Sequence, residues 1–145
     1  MDEGDASVKF KKAHDITSAP ASAGEFTPGV WRADILGLSP GGLRATRFTY
    51  APQARSHWHV HEGEQALLVT DGRGIVAVWD EPEATLVLPG DWVHVEPGQK
   101  HWHGAGTDDV LLHIAVTASG GTQWLEPVTT EQYEEGLRSS GAAAG

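Results

Sequence analysis

The chain is a succession of short runs of β-branched, aromatic and aliphatic residues, each closed by glycine, proline or acidic turn residues. No other feature restricts its fold as much. The runs are VWRADIL (30–36), LRATRFTYA (43–51), SHWHVH (56–61), QALLVTDG (65–72), GIVAVWD (74–80), ATLVLPG (84–90), DWVHVEP (91–97), KHWHGAG (100–106) and VLLHIAVTA (110–118). No helical period precedes residue 129, so nine short strands at this spacing predict an all-β sandwich or barrel of the jelly-roll kind. TTEQYEEGL alone has the marks of a helix start, with Thr129 or Thr130 as the N-cap and acids in the first turn. A length of 145 residues suits one domain with one core. The expected division is a charged and then Ser/Ala/Pro-rich N-terminal arm, partly disordered, over 1–24, a barrel over 25–128, and a short C-terminal helix with a flexible tail over 129–145.

Composition removes several function classes. Twenty acidic residues against ten Lys and Arg give a formal charge of -10, which repels both nucleic acid phosphates and an anionic membrane surface. Neither nucleic acid nor membrane is an expected partner. There is no apolar run near 18 residues, and MDEGDASVKF is acidic where a secretory signal is basic and then apolar. A soluble cytoplasmic protein acting on a small molecule is the expectation. The absence of cysteine rules out disulfides and thiolate ligands, so a metal would have to be held by His, Asp, Glu, Gln or water.

The histidines then become the centre of interest. In a strand, residues i and i+2 point the same way about 6.6 Å apart, close enough for two imidazoles to converge on one ion. His57, His59 and His61 are predicted to share one face, with Trp58 and Val60 on the other. His101 and His103 form a second same-face pair around Trp102, and His113 sits inside the apolar run VLLHIAV. A single His in a β-protein is most often an ordinary core or surface side chain. Two separate HxH pairs, each beside a turn, point to a metal.

The stretch PGDWVHVEPGQKHWHGAG resembles the second sequence motif of the cupins, with Gly90, Pro97, Gly98 and His101 on the pattern. SHWHVHEGEQALLVTDG resembles the first, an HxH followed by three or four residues, a Glu, six residues and a Gly, in either of two registers. His57 and His59 with Glu64 keep the first spacing but meet Asp71 where the family has Gly. His59 and His61 with Gln65 meet Gly72, and the alternation of Gln65, Leu67 and Val69 agrees, so this register is adopted. A glutamine at that place is similar to the cupin-type R-selective hydroxynitrile lyases. WHVHEGEQALLVTDGRG, EPGQKHWHGAG and WLEPVTTEQY carry that likeness over about residues 25 to 133.

The resemblance implies a single-domain cupin jelly-roll β-barrel holding one divalent ion, with manganese first and iron, nickel, zinc or copper also compatible. It implies His59, His61, Gln65 and His101 as ligands, His103 and His113 as proton carriers in the pocket, and no role for His57. Thr46, Phe48 and Tyr50, which share one strand face, are expected to wall the pocket with Leu67, Val69 and Thr117. A homodimer is also implied by the family rather than by any residue. Three imidazoles and an amide oxygen would leave the whole +2 charge on the ion, which strengthens it as a Lewis acid and disfavours cycling through +3. Lyase chemistry on a cyanohydrin or related α-hydroxy compound is therefore expected ahead of dioxygenase chemistry or non-catalytic ligand binding.

Overall fold

The computed structural model describes residues 7–37 and 42–142. Eleven strands and one α-helix follow in order: β1 (Ala19–Pro20), β2 (Val30–Gly37), β3 (Arg44–Tyr50), β4 (His59–His61), β5 (Gln65–Gly72), β6 (Gly74–Val78), β7 (Thr85–Val87), β8 (Trp92–Val95), β9 (His101–Ala105), β10 (Leu111–Thr117), β11 (Thr122–Trp124) and α1 (Thr130–Ser140). They build two antiparallel sheets, one ordered β1-β2-β3-β10-β5-β8 and the other β11-β4-β9-β6-β7, packed face to face as a jelly roll.

All nine runs read from the sequence contain a strand, although SHWHVH narrows to His59–His61 and ATLVLPG to Thr85–Val87. Two strands were not legible. β1 lies in the segment expected to be partly disordered, and pairs Ala19 with Arg32 and Pro20 with Trp31. β11 follows the Gly120–Gly121 turn and pairs with β4. Residues 1–6 and 143–145 of the arm and tail lie outside the described residues.

Strand alternation sorts the chain between two interiors. Inside the barrel, β10 turns Leu111, His113, Ala115 and Thr117 inward, β5 turns Gln65, Leu67 and Val69, and Phe26, Val30, Tyr50, Val76 and Val87 join the apolar core. Outside the smaller sheet, Trp58, Ile75 and Trp102 pack under Val128, Tyr133 and Leu137 of the α1 region. β9 is consequently buried on both faces along its whole length. Gly136 lets α1 approach this surface, since a β-carbon there would stand 3.0 Å from Ile75 and 3.1 Å from Trp102.

The ends of α1 follow from local sequence. The Thr129 hydroxyl accepts from the Gln132 N–H, the Gln132 side chain accepts from the Thr129 N–H, and Gly141 closes the helix in the left-handed region. Gly72 has φ +84°, and a β-carbon there would meet the Val110 carbonyl at 1.8 Å. That contact explains physically why the motif ends in Gly. Among the described residues no helix is long and apolar enough to cross a membrane.

Candidate metal centre

His59 and His61 enter the interior from β4, and His101 arrives opposite His59 as its direct cross-strand partner on β9. All three side chains are buried, and one nitrogen from each lies within 4.8 Å of the others. The ring centroids are 4.2 Å apart for His59 and His101, 5.0 Å for His59 and His61, and 5.3 Å for His61 and His101.

The far side of each ring is anchored. His59 Nδ1 donates to the His57 carbonyl at 2.8 Å, and His101 Nδ1 donates to the Gln99 carbonyl at 2.9 Å. A carbonyl can only accept, so both rings carry their proton on Nδ1 and keep a lone pair on Nε2. His61 Nδ1 meets the Thr122 hydroxyl at 2.9 Å, which places a β11 residue in the support of the site. Inside, Nε2 of His61 and of His101 and Oε1 of Gln65 are buried without any hydrogen-bond partner. Buried polar atoms left unpaired are costly, and two of these belong to the three histidines whose nitrogens cluster, an arrangement that fits a divalent cation. Gln65 is held by its amide nitrogen, which donates to Thr117 Oγ1 at 3.0 Å.

Electrostatics agree with a donor set of neutral rings. Burial holds the His59 pKa well below the usual imidazole range, with the neighbouring His101 second in effect, and burial likewise lowers His101. Burial first, then His101 and the charge of Arg44, bring His61 to about 4. Glu64, the acid of the alternative register, points outward and meets His94 at 3.1 Å on the surface. His57 precedes β4 and stands apart from the cluster, contributing its carbonyl rather than its ring.

A second chain of polar groups lies alongside. The Tyr50 hydroxyl sits 2.7 Å from His103 Nδ1 and 3.2 Å from His113 Nε2, in a fully buried line of three side chains. Burial is the first cause that lowers both histidines, His113 to about 3, so both are neutral.

A cavity of about 150 Å³ opens beside these groups, lined by His59, His61, Gln65 and His103 with Thr46, Phe48, Ala115, Thr117, Thr122 and Trp124; Glu25, Phe26, Arg32 and Arg44 complete the wall. Thr46, Phe48 and Thr117 line this cavity, whereas Tyr50, Leu67 and Val69 face inward and are buried without lining it. Parity tells which way a side chain points, and it does not tell how far along the barrel the empty space extends. His113 lies off the wall and connects to His103 by hydrogen bonds through Tyr50. Thr122, Trp124, Arg44, Arg32 and Glu25 escaped the sequence reading, because each is brought to the site by pairing between segments distant in the chain.

A jelly roll with an imidazole cluster fed by two HxH strands is the arrangement of a cupin. The family model described as a cupin domain matches residues 46–117. A curated relative, the (R)-mandelonitrile lyase of Granulicella tundricola, is 35% identical over 134 residues, covering 87% of this chain and 98% of that protein. A solved cupin-like protein from Thermotoga maritima is 30% identical with a TM-score of 0.77, over 90% of this chain and 97% of that one. The polyketide cyclase RemF from Streptomyces resistomycificus shares the fold alone, at 17% identity and a TM-score of 0.68, over 88% of this chain and 92% of that one. The protein belongs to the cupin family.

Proposed function

We propose that this cupin is a divalent-metal-dependent lyase that reversibly breaks a carbon–carbon bond of a small α-hydroxy compound, a cyanohydrin first among them. The observation that carries the reading is the inward Gln65 beside three histidines whose nitrogens converge, with the acidic alternative, Glu64, on the outer surface. The 35% identity with an (R)-mandelonitrile lyase supports it. His59, His61, Gln65 and His101 would hold the ion, manganese by preference. The ion would supply Lewis-acid polarisation of a substrate oxygen.

This chain's own residues handle position and proton. In cyanohydrin cleavage the hydroxyl gives up its proton, its electron pair becomes the second carbonyl bond, and cyanide leaves with the broken bond's pair and takes a proton. His103 faces the cavity and is the group that moves that proton. A proton on His103 Nδ1, donated to the Tyr50 oxygen while the phenol donates to His113 Nε2, leaves a lone pair on His103 Nε2 to take the hydroxyl's proton and pass it to cyanide. His113 and Tyr50 therefore act through His103. Phe48 and Trp124 offer apolar walls to the rest of the substrate and limit water beside it.

Metal content per chain and cyanide release from mandelonitrile test the reading together. Wild type and His57→Ala are expected to carry about one ion per chain and Gln65→Ala much less, with cyanide released only by loaded protein. Full metal in Gln65→Ala with loss in His57→Ala would overturn the ligand set. Loaded wild type that releases no cyanide would overturn the activity.

A further inference from the structure

The chain as a whole repels anions, with a formal charge of -10, yet the cavity wall carries two guanidinium groups, Arg32 and Arg44, against one carboxylate, Glu25. Arg32 is already answered, since it pairs with Asp34 at 3.2 Å and lies over the Phe48 ring. Arg44 is not. It donates to the Gly120 carbonyl at 2.9 Å and to the Thr122 hydroxyl at 3.4 Å, both neutral acceptors. Among the described residues no ion pair involves it. An arginine keeps its charge at any ordinary pH and has five N–H donors, so this one retains donors and a charge without an ion-pair partner at the cavity.

Its two anchors also fix its place. Thr122, which Arg44 touches, is the residue that holds His61 Nδ1, so the guanidinium stands two hydrogen bonds from a histidine of the cluster. A group held in advance loses little freedom when an anion binds. We propose that the substrate of this site carries a carboxylate, bound by Arg44, with the oxygen on its neighbouring carbon directed at His59, His61 and Gln65. The proposal rests on the lyase reading for the α-oxygen and adds the charged group beside it. A cavity of about 150 Å³, open on one side, suits a small ligand, since a void of about that size takes one benzene ring. Small α-hydroxy and α-keto acids are the class that fits.

Calorimetric titration of lactate and of lactamide, its uncharged near-isostere, tests this in protein stripped of metal and in protein loaded with Mn²⁺. Stripped wild type should bind lactate roughly tenfold or more tightly than lactamide, the scale of a charge-assisted hydrogen-bonded pair. Arg44→Gln should abolish that preference and Arg44→Lys should weaken it, while loading with Mn²⁺ should tighten lactate further. Equal affinities for the two ligands in wild type would overturn the proposal. So would an equal loss for both ligands in Arg44→Gln, the result expected if Arg44 only pins Gly120 and Thr122. Should Arg44→Gln fail to fold, an undiminished lactate preference in Arg44→Lys would overturn it. A lactate preference that depends on Arg44, in protein that releases no cyanide from mandelonitrile, would sink the lyase reading and leave the carboxylate assignment standing. Cyanide release without that preference would do the reverse.

Discussion

The segment from Trp58 to His61 and strand β9 have two faces of opposite character. Inward they turn His59, His61, His101 and His103, the last three with Nε2 lacking a partner; outward they turn Trp58 and Trp102, edge to face at 6.5 Å beneath α1. The inner face costs stability, because each buried polar atom left unpaired is worth about 1–3 kcal/mol against folding. The outer face supplies it. Large aromatic rings there bury their surface against Tyr133 and Leu137, and the Tyr133 hydroxyl donates to the Ala105 carbonyl on β9 itself at 2.8 Å. One backbone thus ties a demanding site to a stabilising backing, and the helix that never touches the cavity holds the strand that shapes it.

The contrast can be broken from either side. Trp102→Ala should have the largest effect, a loss of about 3–5 kcal/mol in denaturant unfolding, while the folded fraction keeps its metal stoichiometry. A variant that unfolds as wild type does would show that the outer cluster is not the support. On the inner side the measure is acid. His113 has a folded pKa of about 3 against about 6.5 when unfolded, so the unfolded chain takes up the proton first. Stability of metal-free protein should fall as pH drops from about 6.5 towards 3, this residue contributing up to about 1.4 kcal/mol per pH unit, and should be insensitive to it above that window. His113→Gln should flatten the slope by about one proton. The smallest effect belongs to the helix end, where Thr129→Ala should cost about 1 kcal/mol and leave metal content unchanged, because Thr129 supports the backing rather than the site.

Much of the site was legible because it is written in local spacing. His59 and His61, and His101 and His103, share faces because side chains alternate along a strand, and Gln65 separates from Glu64 by the same rule. The helix start was legible from Thr129 or Thr130 followed by acids, and the structure settles it on Thr129, with Gln132 completing the cap. β11 was illegible because three residues, Thr122–Trp124, carry too little periodicity to register, and they become a strand only by pairing with β4. The line from His103 through Tyr50 to His113 was hidden for a related reason. Tyr50 showed its face in the sequence, and its partners stand 53 and 63 residues away.

The amino-acid sequence by itself determined the class of fold, the strands that carry the histidines and the direction in which side chains within those strands point. These follow from short-range backbone geometry, the same wherever the strand lies. Tertiary structure alone decided how deep each inward residue sits, which nitrogens are left without partners, and that Arg44 and Thr122 meet the cluster through the Gly120–Gly121 turn and β11. Those outcomes depend on which distant strands become neighbours, and that is set by closing the whole interior rather than by any one segment.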